Sequence, residues 1–446
     1  MSDLSVILDA AGVVAGAGGL GYAKVRAPRV YWSLVGLPVT WGRFTLSYRS
    51  TMDVCGLTVQ PSALRAFVTR NVARREVLPV PPKVRRVRGT ATGLRVTLRL
   101  PAGLEPADLA AASERLRHAW GVHSVTVAET RPGFVELRMT GYDVLRFVRM
   151  PRGVRPSGLA VPVALREDGT AFVRDFRAVP MALTLGANNS GKSVYQRTLI
   201  AGLARLPVAL VGIDCKRGVE QSAYATRLSA LVTTPDDAAA LLDVLVGEME
   251  SRFDLLSAHG ASDVWELPAG VRPVPVVVLV DEVAELFLIS SKKDEERRER
   301  IVTALIRLAQ MARAIGIHLE VCGQRFGSEL GRGATMLRAQ LTGRVVHRVN
   351  DKQTAEMGLA DVAPDAVAVA SLIPAERPGT AVAADSSGGW SKIRTPHTSR
   401  EQVSAVCREF AHLVPDFPAL DRFRPHVPAT APAPGPSLVK PRPVTE

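Results

Sequence analysis

The chain has 446 residues, of which 47% are hydrophobic, and it carries a formal net charge of +13. This length predicts two or three domains, and the hydrophobic content is enough to build their cores, which excludes a chain that is disordered throughout. The four cysteines lie far apart with no C-x-x-C pair, which excludes a disulfide framework or a cysteine zinc site and indicates a cytoplasmic location.

Residues 1–60 form an apolar, Gly-rich segment. Its first part, Leu4 to Tyr22, contains Asp9 and five glycines, and no basic residue precedes it. These features do not fit a secretory signal, and the length is marginal for a membrane span. Two interpretations stay open: membrane contact through the N-terminus of a cytoplasmic protein, or a soluble Gly/Ala-rich segment.

Residues 61–90 form a basic segment, in which Glu76 is the single acidic residue. Such a stretch suits a polyanionic partner, either nucleic acid or an anionic membrane face, although a solvated linker would have the same composition. Its basic residues are Arg65, Arg70, Arg74, Arg75, Lys83, Arg85, Arg86 and Arg88.

Residues 91–150 read as a small α+β domain. Alternating apolar residues predict a strand over Leu94 to Leu100, and a helix is predicted from Pro106 to Trp120. Two further strands are predicted at Ser124 to Ala128 and Phe134 to Met139.

Residues 155–390 alternate short apolar runs with helical stretches, which predicts an α/β fold with a doubly wound, mainly parallel sheet. A C-terminal helical segment is expected over 391–426, and the Pro-rich residues 427–446 are expected to be a disordered tail. The predicted strands are Met181–Leu185, Val208–Ile213, Ala230–Val232, Val276–Val280, His318–Cys322, Arg344–Val349 and Thr380–Ala383.

A glycine-rich loop follows the first of these strands and precedes a helical stretch from Val194 to Leu206. The loop fits the pattern G-x-x-x-x-G-K-[ST], in which backbone N–H groups and the helix N-terminus bind phosphates. Lys192 is expected to reach the outer phosphates of ATP, and the Ser193 hydroxyl to hold Mg²⁺. A chance glycine turn is the alternative interpretation. The predicted nucleotide-binding residues are Gly186, Ala187, Asn188, Asn189, Ser190, Gly191, Lys192 and Ser193.

An acidic pair, Asp281 and Glu282, ends the apolar run Val276 to Val280. Continuous β-branched residues are typical of a strand buried on both faces, and open α/β sheets bind ligands at the carboxyl ends of their strands. We expect Asp281 to hold Mg²⁺ and Glu282 to orient or deprotonate the water that attacks the γ-phosphate. Alone, the pair would also fit an ordinary solvated acidic turn.

Together these motifs resemble the FtsK/SpoIIIE family of double-stranded DNA pumps, which includes the smaller transfer proteins of actinomycete plasmids. The resemblance covers roughly residues 92 to 385. It implies a RecA-like P-loop NTPase motor that is preceded by a small α+β domain. It also implies a ring, expected to be a hexamer, in which each hydrolysis site lies between subunits. The further segments that carry the resemblance are Ile213–Glu220, Glu248–Phe253, Asp281–Leu286, Ala309–Leu319 and Gln324–Arg325.

Gln324 is expected at the end of a strand beside the acidic one, where a side-chain amide can touch the γ-phosphate or its attacking water. We therefore assign it a catalytic role that couples hydrolysis to movement, with a structural polar residue as the alternative. The candidates for an arginine finger that reaches a neighbour's nucleotide are not distinguished by sequence. They are Arg313, Arg325, Arg344 and Arg348.

The sequence thus predicts an ATPase that uses Mg²⁺ and moves along double-stranded DNA, in plasmid transfer or chromosome segregation. Family members that recognise DNA polarity carry a C-terminal winged helix, whereas the chain after Arg400 offers one helix-like segment. We therefore expect contacts mainly with phosphates, with low sequence specificity. A secretion-apparatus ATPase of the same family and a RecA-class helicase are the alternatives, and a nucleotide-binding adaptor without turnover is the non-enzymatic one.

Overall fold

The computed structural model describes Tyr22 and residues 26–61, 78–385 and 389–426. The marginal apolar span, most of the N-terminal half of the basic segment and the Pro-rich tail lie outside the described residues. The chain divides into two units, one formed by residues 1–152 with 165–172 and the other by residues 153–164 with 173–446. In the described part of the chain, no helix has the length and apolar character that crossing a bilayer requires.

The first unit is an antiparallel four-stranded sheet in the order β1-β2-β4-β3, with helices over one face. Its core includes Leu94, Val96 and Trp120. The strands are β1 (Lys83–Gly89), β2 (Gly93–Arg99), β3 (Ser124–Arg131) and β4 (Phe134–Thr140). The helices are α1 (Pro28–Tyr31), which continues through a π-helical turn at Trp32–Gly36 into α2 (Leu37–Val54), then α3 (Pro106–Ala111) and α4 (Ser113–Trp120).

The structure differs from the predicted boundaries in this unit. Phe44 and Met52 of α2 belong to the same core, and β1 begins inside the predicted basic segment. Packing, rather than composition, sets these limits, because a short sheet needs a covering layer to bury its apolar face. The single helix predicted from Pro106 to Trp120 is two helices, which are separated by a turn at Ala112 (φ −87°, ψ 0°).

The second unit is a ten-stranded sheet in the order β6-β5-β14-β13-β12-β7-β11-β10-β8-β9. The run from β12 to β9 is parallel throughout, while β13 and β14 are antiparallel additions. The predicted α/β class with a mainly parallel sheet is confirmed. The strands are β5 (Ala160–Arg166), β6 (Ala171–Asp175), β7 (Met181–Leu185), β8 (Ala209–Ile213), β9 (Ala230–Val232), β10 (Val276–Val280), β11 (Ile317–Gly323), β12 (Gly343–His347), β13 (Thr380–Ala384) and β14 (Trp390–Arg394).

α-Helices connect most of the successive parallel strands, which need a crossover connection. The parallel strands β8 and β9 are instead joined through a 3₁₀ segment, Gln221–Arg227. Every residue of β7, β8, β10 and β11 is buried, which explains the nearly continuous apolar sequences of β7, β8 and β10. In β11 the polar side chains of His318 and Glu320 are buried as well. The carboxyl ends of these strands meet at one edge, and this edge holds the candidate site. The helices are α5 (Lys192–Leu203), α6 (Pro235–Ala258), α7 (Lys292–Met311), α8 (Ala334–Gln340), α9 (Lys352–Leu359), α10 (Val367–Ser371) and α11 (Arg400–Glu409).

Candidate functional site

The predicted phosphate loop lies between the end of β7 and the start of α5, as the pattern requires. Gly191 has φ +103°, a conformation that side chains rarely adopt, and a Cβ there would lie 2.2 Å from the backbone nitrogen of Gly379. Asn189, at φ +59°, is also left-handed. These positions curl the backbone before the helix begins, so that the N-terminus of α5 points toward the loop.

Neighbouring strands hold this loop in place from several sides. The N–H groups of Gly186 and Ala187 donate to the carbonyls of Gly323 (3.1 Å) and Arg348 (2.9 Å). The carbonyl of Ser190 accepts a bond from Gly379 at 2.8 Å. The loop is therefore bonded to the ends of β11, β12 and β13, which fixes its shape before any ligand binds.

The acidic pair faces the loop across the same edge. Lys192 Nζ lies 3.1 Å from Oε2 of Glu282, and Glu282 is 5% exposed. A second ammonium, that of Lys216, lies 3.3 Å from the same oxygen and 3.9 Å from Oδ2 of Asp281. The two lysines thus neutralise a buried pair of carboxylates. Removal of a lysine or of a carboxylate would leave a buried charge without its partner.

The loop after β8 delivers Lys216 to this position. The buried carboxylate of Asp214 accepts bonds from the backbone N–H groups of Lys216, Glu220 and Gln221, at 3.2, 3.0 and 3.0 Å. Arg217 takes the left-handed conformation at φ +61°. Such strain persists where surrounding bonds over-determine it. This segment carries part of the family resemblance, but a role for Lys216 was not predicted from the sequence. Asp214, two residues before Lys216, was the available signal.

Asp281 has a perturbed acidity. Burial, reinforced by the negative charge of Asp214, raises its pKa from 3.8 to about 6, while Lys216 and Lys192 act in the opposite direction. A carboxylate in such surroundings gains from a cation beside it. The ammonium of Lys216 lies 3.9 Å from Asp281, so this carboxylate already has one cation beside it. The surroundings of Asp281 therefore also fit a bound metal ion.

Mg²⁺ prefers oxygen ligands and commonly binds through one or two protein groups together with phosphate oxygens and water. Asp281 and the partly exposed Ser193 offer such oxygens at this edge. Within the described residues, no cluster of three or more His, Cys, Asp or Glu side chains forms a metal site. The residues therefore fit an ion that arrives with a nucleotide rather than one held by protein ligands alone.

Gln324 follows β11, next to β10, as expected. Its backbone N–H donates to Oε1 of Glu282 at 3.2 Å, and the residue is exposed. Glu282 is therefore held from one side by a main-chain donor and from the other by two lysines. The backbone of Gln324 makes this contact with the acid, and the expected contact of its side-chain amide with the γ-phosphate or the attacking water stays a prediction.

The four arginine candidates differ in their surroundings. Arg344 is 2% exposed and donates to the carbonyl of Arg338 at 2.9 Å, so its proposal as a finger is corrected: a buried guanidinium cannot reach a neighbouring subunit. Arg348 donates to the carbonyl of Asn188 at 2.8 Å, within its own phosphate loop. Arg325 pairs with Glu329 at 3.2 Å, and Arg313 is exposed.

This arrangement has the parts that phosphoryl transfer needs. A preformed loop of backbone donors and Lys192 suit a triphosphate, and the carboxylate of Glu282 lies beside them. Lys192 is bound to Glu282, so a phosphate at the loop would give the lysine a competing partner and release the carboxylate toward a water molecule. The geometry therefore suits nucleotide hydrolysis.

Two family models match the chain. One, described as the N-terminal domain of actinomycete conjugal transfer proteins, matches residues 17–141. The other, the FtsK/SpoIIIE family, matches residues 145–273 and 265–328. The first match falls on the unit that holds the small sheet, and the second covers the phosphate loop and the acidic pair.

Related proteins agree with these matches. The transfer protein TraSA of Streptomyces ambofaciens is 54% identical over 403 residues, which are 88% of this chain and 96% of that protein. A sporulation regulatory protein of Streptomyces azureus is 85% identical over 270 residues, 60% of this chain and 89% of that protein. The DNA translocase FtsK of Streptococcus pneumoniae is 32% identical over 211 residues, 43% of this chain but 26% of the translocase.

A solved structure shares the fold. The pCW3 conjugation coupling protein TcpA, in a monomer form with ATPγS, aligns with a TM-score of 0.55 over 82% of this chain and 99% of TcpA, at 17% sequence identity. At this sequence identity, the match supports the fold of the chain and gives no information on the roles of individual residues.

Proposed function

The chain belongs to the FtsK/SpoIIIE family, in the group of actinomycete conjugal transfer proteins, and from this premise we propose that it hydrolyses ATP to move double-stranded DNA during plasmid transfer. The observation that carries the proposal is the 3.1 Å contact between Lys192 and Glu282. It joins the phosphate loop to the carboxylate that would activate water, across a 90-residue separation in the sequence.

In the proposed reaction, Lys192 leaves Glu282 and binds the outer phosphates of ATP. Backbone N–H groups of the loop from Asn188 to Ser193 bind the remaining phosphate oxygens. Glu282, held by Gln324 and Lys216, then orients a water molecule toward the γ-phosphate and accepts its proton. Mg²⁺, held by Ser193 and Asp281, would neutralise charge on the phosphates.

Movement on DNA requires that ATP hydrolysis in one subunit be coupled to the neighbouring subunit. We propose a ring, with six subunits as in the family, in which an exposed arginine reaches the nucleotide of its neighbour. Arg344 is buried and Arg348 is bound to its own phosphate loop. Arg313, which is exposed, and Arg325, whose ion pair with Glu329 lies at the surface, are the remaining candidates. The formal net charge of +13 favours binding to a polyanion such as duplex DNA.

The proposal is tested by ATP hydrolysis of the full chain with and without duplex DNA over a salt series, with Lys192→Ala as the inactive control. Stimulation by duplex DNA that weakens as salt rises is expected. Stimulation by a secretion-signal peptide, but not by DNA, would instead identify a secretion ATPase. ATP-dependent strand separation would identify a helicase, and the absence of turnover would leave a nucleotide-binding adaptor.

A further inference from the structure

The outer face of the sheet in the first unit is strongly basic. Apolar residues such as Val96 and Leu98 point into the helix-covered core, so the residues that alternate with them lie on the opposite face. The basic residues on that outer face are Lys83, Arg86, Arg88, Arg95, Arg99, Arg131 and Arg138. We name these residues the basic sheet face.

The register of the sheet places like charges directly opposite each other. Lys83 pairs with Arg99 and Arg88 with Arg95 between β1 and β2, and Arg95 pairs with Arg138 between β2 and β4. Opposite residues on neighbouring strands lie about 5 Å apart, and like charges at these positions destabilise a sheet. A polyanionic partner bound to this face would offset the repulsion.

Carboxylates compensate part of this charge. Arg138 is paired with Glu136 at 2.8 Å, and Arg95 lies 3.6 Å from Asp168. The guanidinium of Arg131 lies 4.0 Å from the centre of the Phe134 ring. By contrast, ion pairs with carboxylates of the described residues are absent at four exposed positions of the face. These are Lys83, Arg86, Arg88 and Arg99.

Protection of a sheet edge does not account for the pattern. Charged residues on an edge strand discourage pairing with other chains, and β1 is such a strand. However, Arg95, Arg99 and Arg138 lie on β2 and β4, the two central strands of this sheet. Positive charge thus spreads across the face instead of following its edge.

We propose that the basic sheet face binds the phosphate backbone of duplex DNA, a proposal that rests on the translocase activity proposed above. Four strands span about 15 Å, and each strand of duplex DNA presents one phosphate per about 3.4 Å of axis. The face therefore meets several phosphates at once. Its abundance of arginine suits them, because a guanidinium can donate two hydrogen bonds to one phosphate.

An anionic membrane surface is the less favoured partner. Proteins that lie on a bilayer combine basic residues with large apolar side chains that enter the acyl region. Among the described residues, none of the large hydrophobic side chains that are exposed lies on β1, β2, β3 or β4. The face thus offers charge without an apolar anchor, which matches a nucleic-acid backbone.

The test compares two variants of the full chain in fluorescence anisotropy with a short duplex of arbitrary sequence. The variant R86Q/R88Q/R99Q removes charge from the basic sheet face. The matched control R43Q/R49Q/R115Q removes the same charge from exposed arginines on the helices of this unit. Thermal unfolding measured by circular dichroism establishes that each variant folds.

The face variant is expected to raise Kd for DNA on the order of 10- to 100-fold at low salt, and to lower the salt slope by up to about 2.7, since each lost phosphate contact removes about 0.9. The control should bind as the wild type does. The variant R86K/R88K/R99K should restore the slope, because lysine keeps the charge. If the glutamine variant does not fold, Arg99→Gln is expected to lower the slope by about 0.9 in the same assay.

Unchanged affinity and slope in the face variant, with a wild type that binds DNA, would overturn this inference and leave the proposed function standing. Loss of binding to phosphatidylserine-containing vesicles without loss of DNA binding would also overturn it and assign the face to a membrane. A wild type without affinity for duplex DNA would refute the proposed function itself.

Discussion

Lys216 provides a sensitive test of the site, because its ammonium contacts Glu282 at 3.3 Å without belonging to the phosphate loop. Lys216→Met removes a charge-assisted hydrogen bond of about 1.5–3 kcal/mol. The lysine side chain is 39% exposed, so solvent screening reduces the effect to roughly 1–2 kcal/mol. If this stabilisation orients Glu282 in the transition state, kcat falls by about 5- to 30-fold.

Steady-state ATP hydrolysis and binding of a fluorescent ATP analogue separate this effect from nucleotide binding. We expect Lys216→Met to lower kcat while Kd for nucleotide stays close to the wild-type value, and Lys216→Arg to recover part of kcat. Lys352→Met is the control, because Lys352 pairs with Glu356 on the surface. Unchanged kcat, or a loss confined to nucleotide affinity, would refute the idea that Lys216 positions Glu282.

Three further predictions concern the framework of the site. Gly191→Ala should lower the free energy of unfolding by about 2–4 kcal/mol and weaken ATP binding, because its Cβ would collide with Gly379. The control Gly247→Ala, in a helix with open space around it, should be neutral or stabilising. Equal thermal stabilities of the two variants would contradict this prediction. Burial lowers the pKa of His318 to about 3 and that of His347 to about 4, from 6.5. Both folded-state pKa values lie below the unfolded value, so the contribution of these histidines to the free energy of unfolding is fully present above pH 6.5. It is lost as pH falls, by about 2 kcal/mol per histidine at pH 5. A free energy of unfolding, measured with denaturant, that does not change with pH would contradict this. Arg348→Ala should raise Kd for nucleotide about 2- to 10-fold, measured by titration, and an unchanged Kd would show that its bond to the loop is dispensable.

Local patterns were sufficient to predict the main parts of the site. The spacing of Gly186, Gly191 and Lys192 specifies a loop between a strand and a helix, and the apolar run before Asp281 specifies a buried strand. Parallel strands then bring both motifs to one edge. This is why the structure places Lys192 beside Glu282, although the catalytic roles themselves stay predictions.

Features that depend on packing were not predicted. The position of Lys216 depends on three backbone bonds to Asp214, and the burial of Arg344 depends on the strands around it. The strand β1 was not predicted from the sequence, because a bulge between Val84 and Arg86 breaks its alternation of apolar and charged residues. Composition reported the charge of this stretch, whereas the register of the sheet was needed to show the basic sheet face.

The most direct test of the account measures ATPγS binding and ATP turnover side by side in the wild type, Lys192→Ala and Glu282→Gln. Loss of the phosphate-binding ammonium should abolish binding, whereas loss of the carboxylate should preserve binding and lower kcat by about 10²- to 10⁴-fold. Turnover at the wild-type rate in Glu282→Gln, or unimpaired ATPγS binding in Lys192→Ala, would contradict the claim that these two side chains form one hydrolytic site.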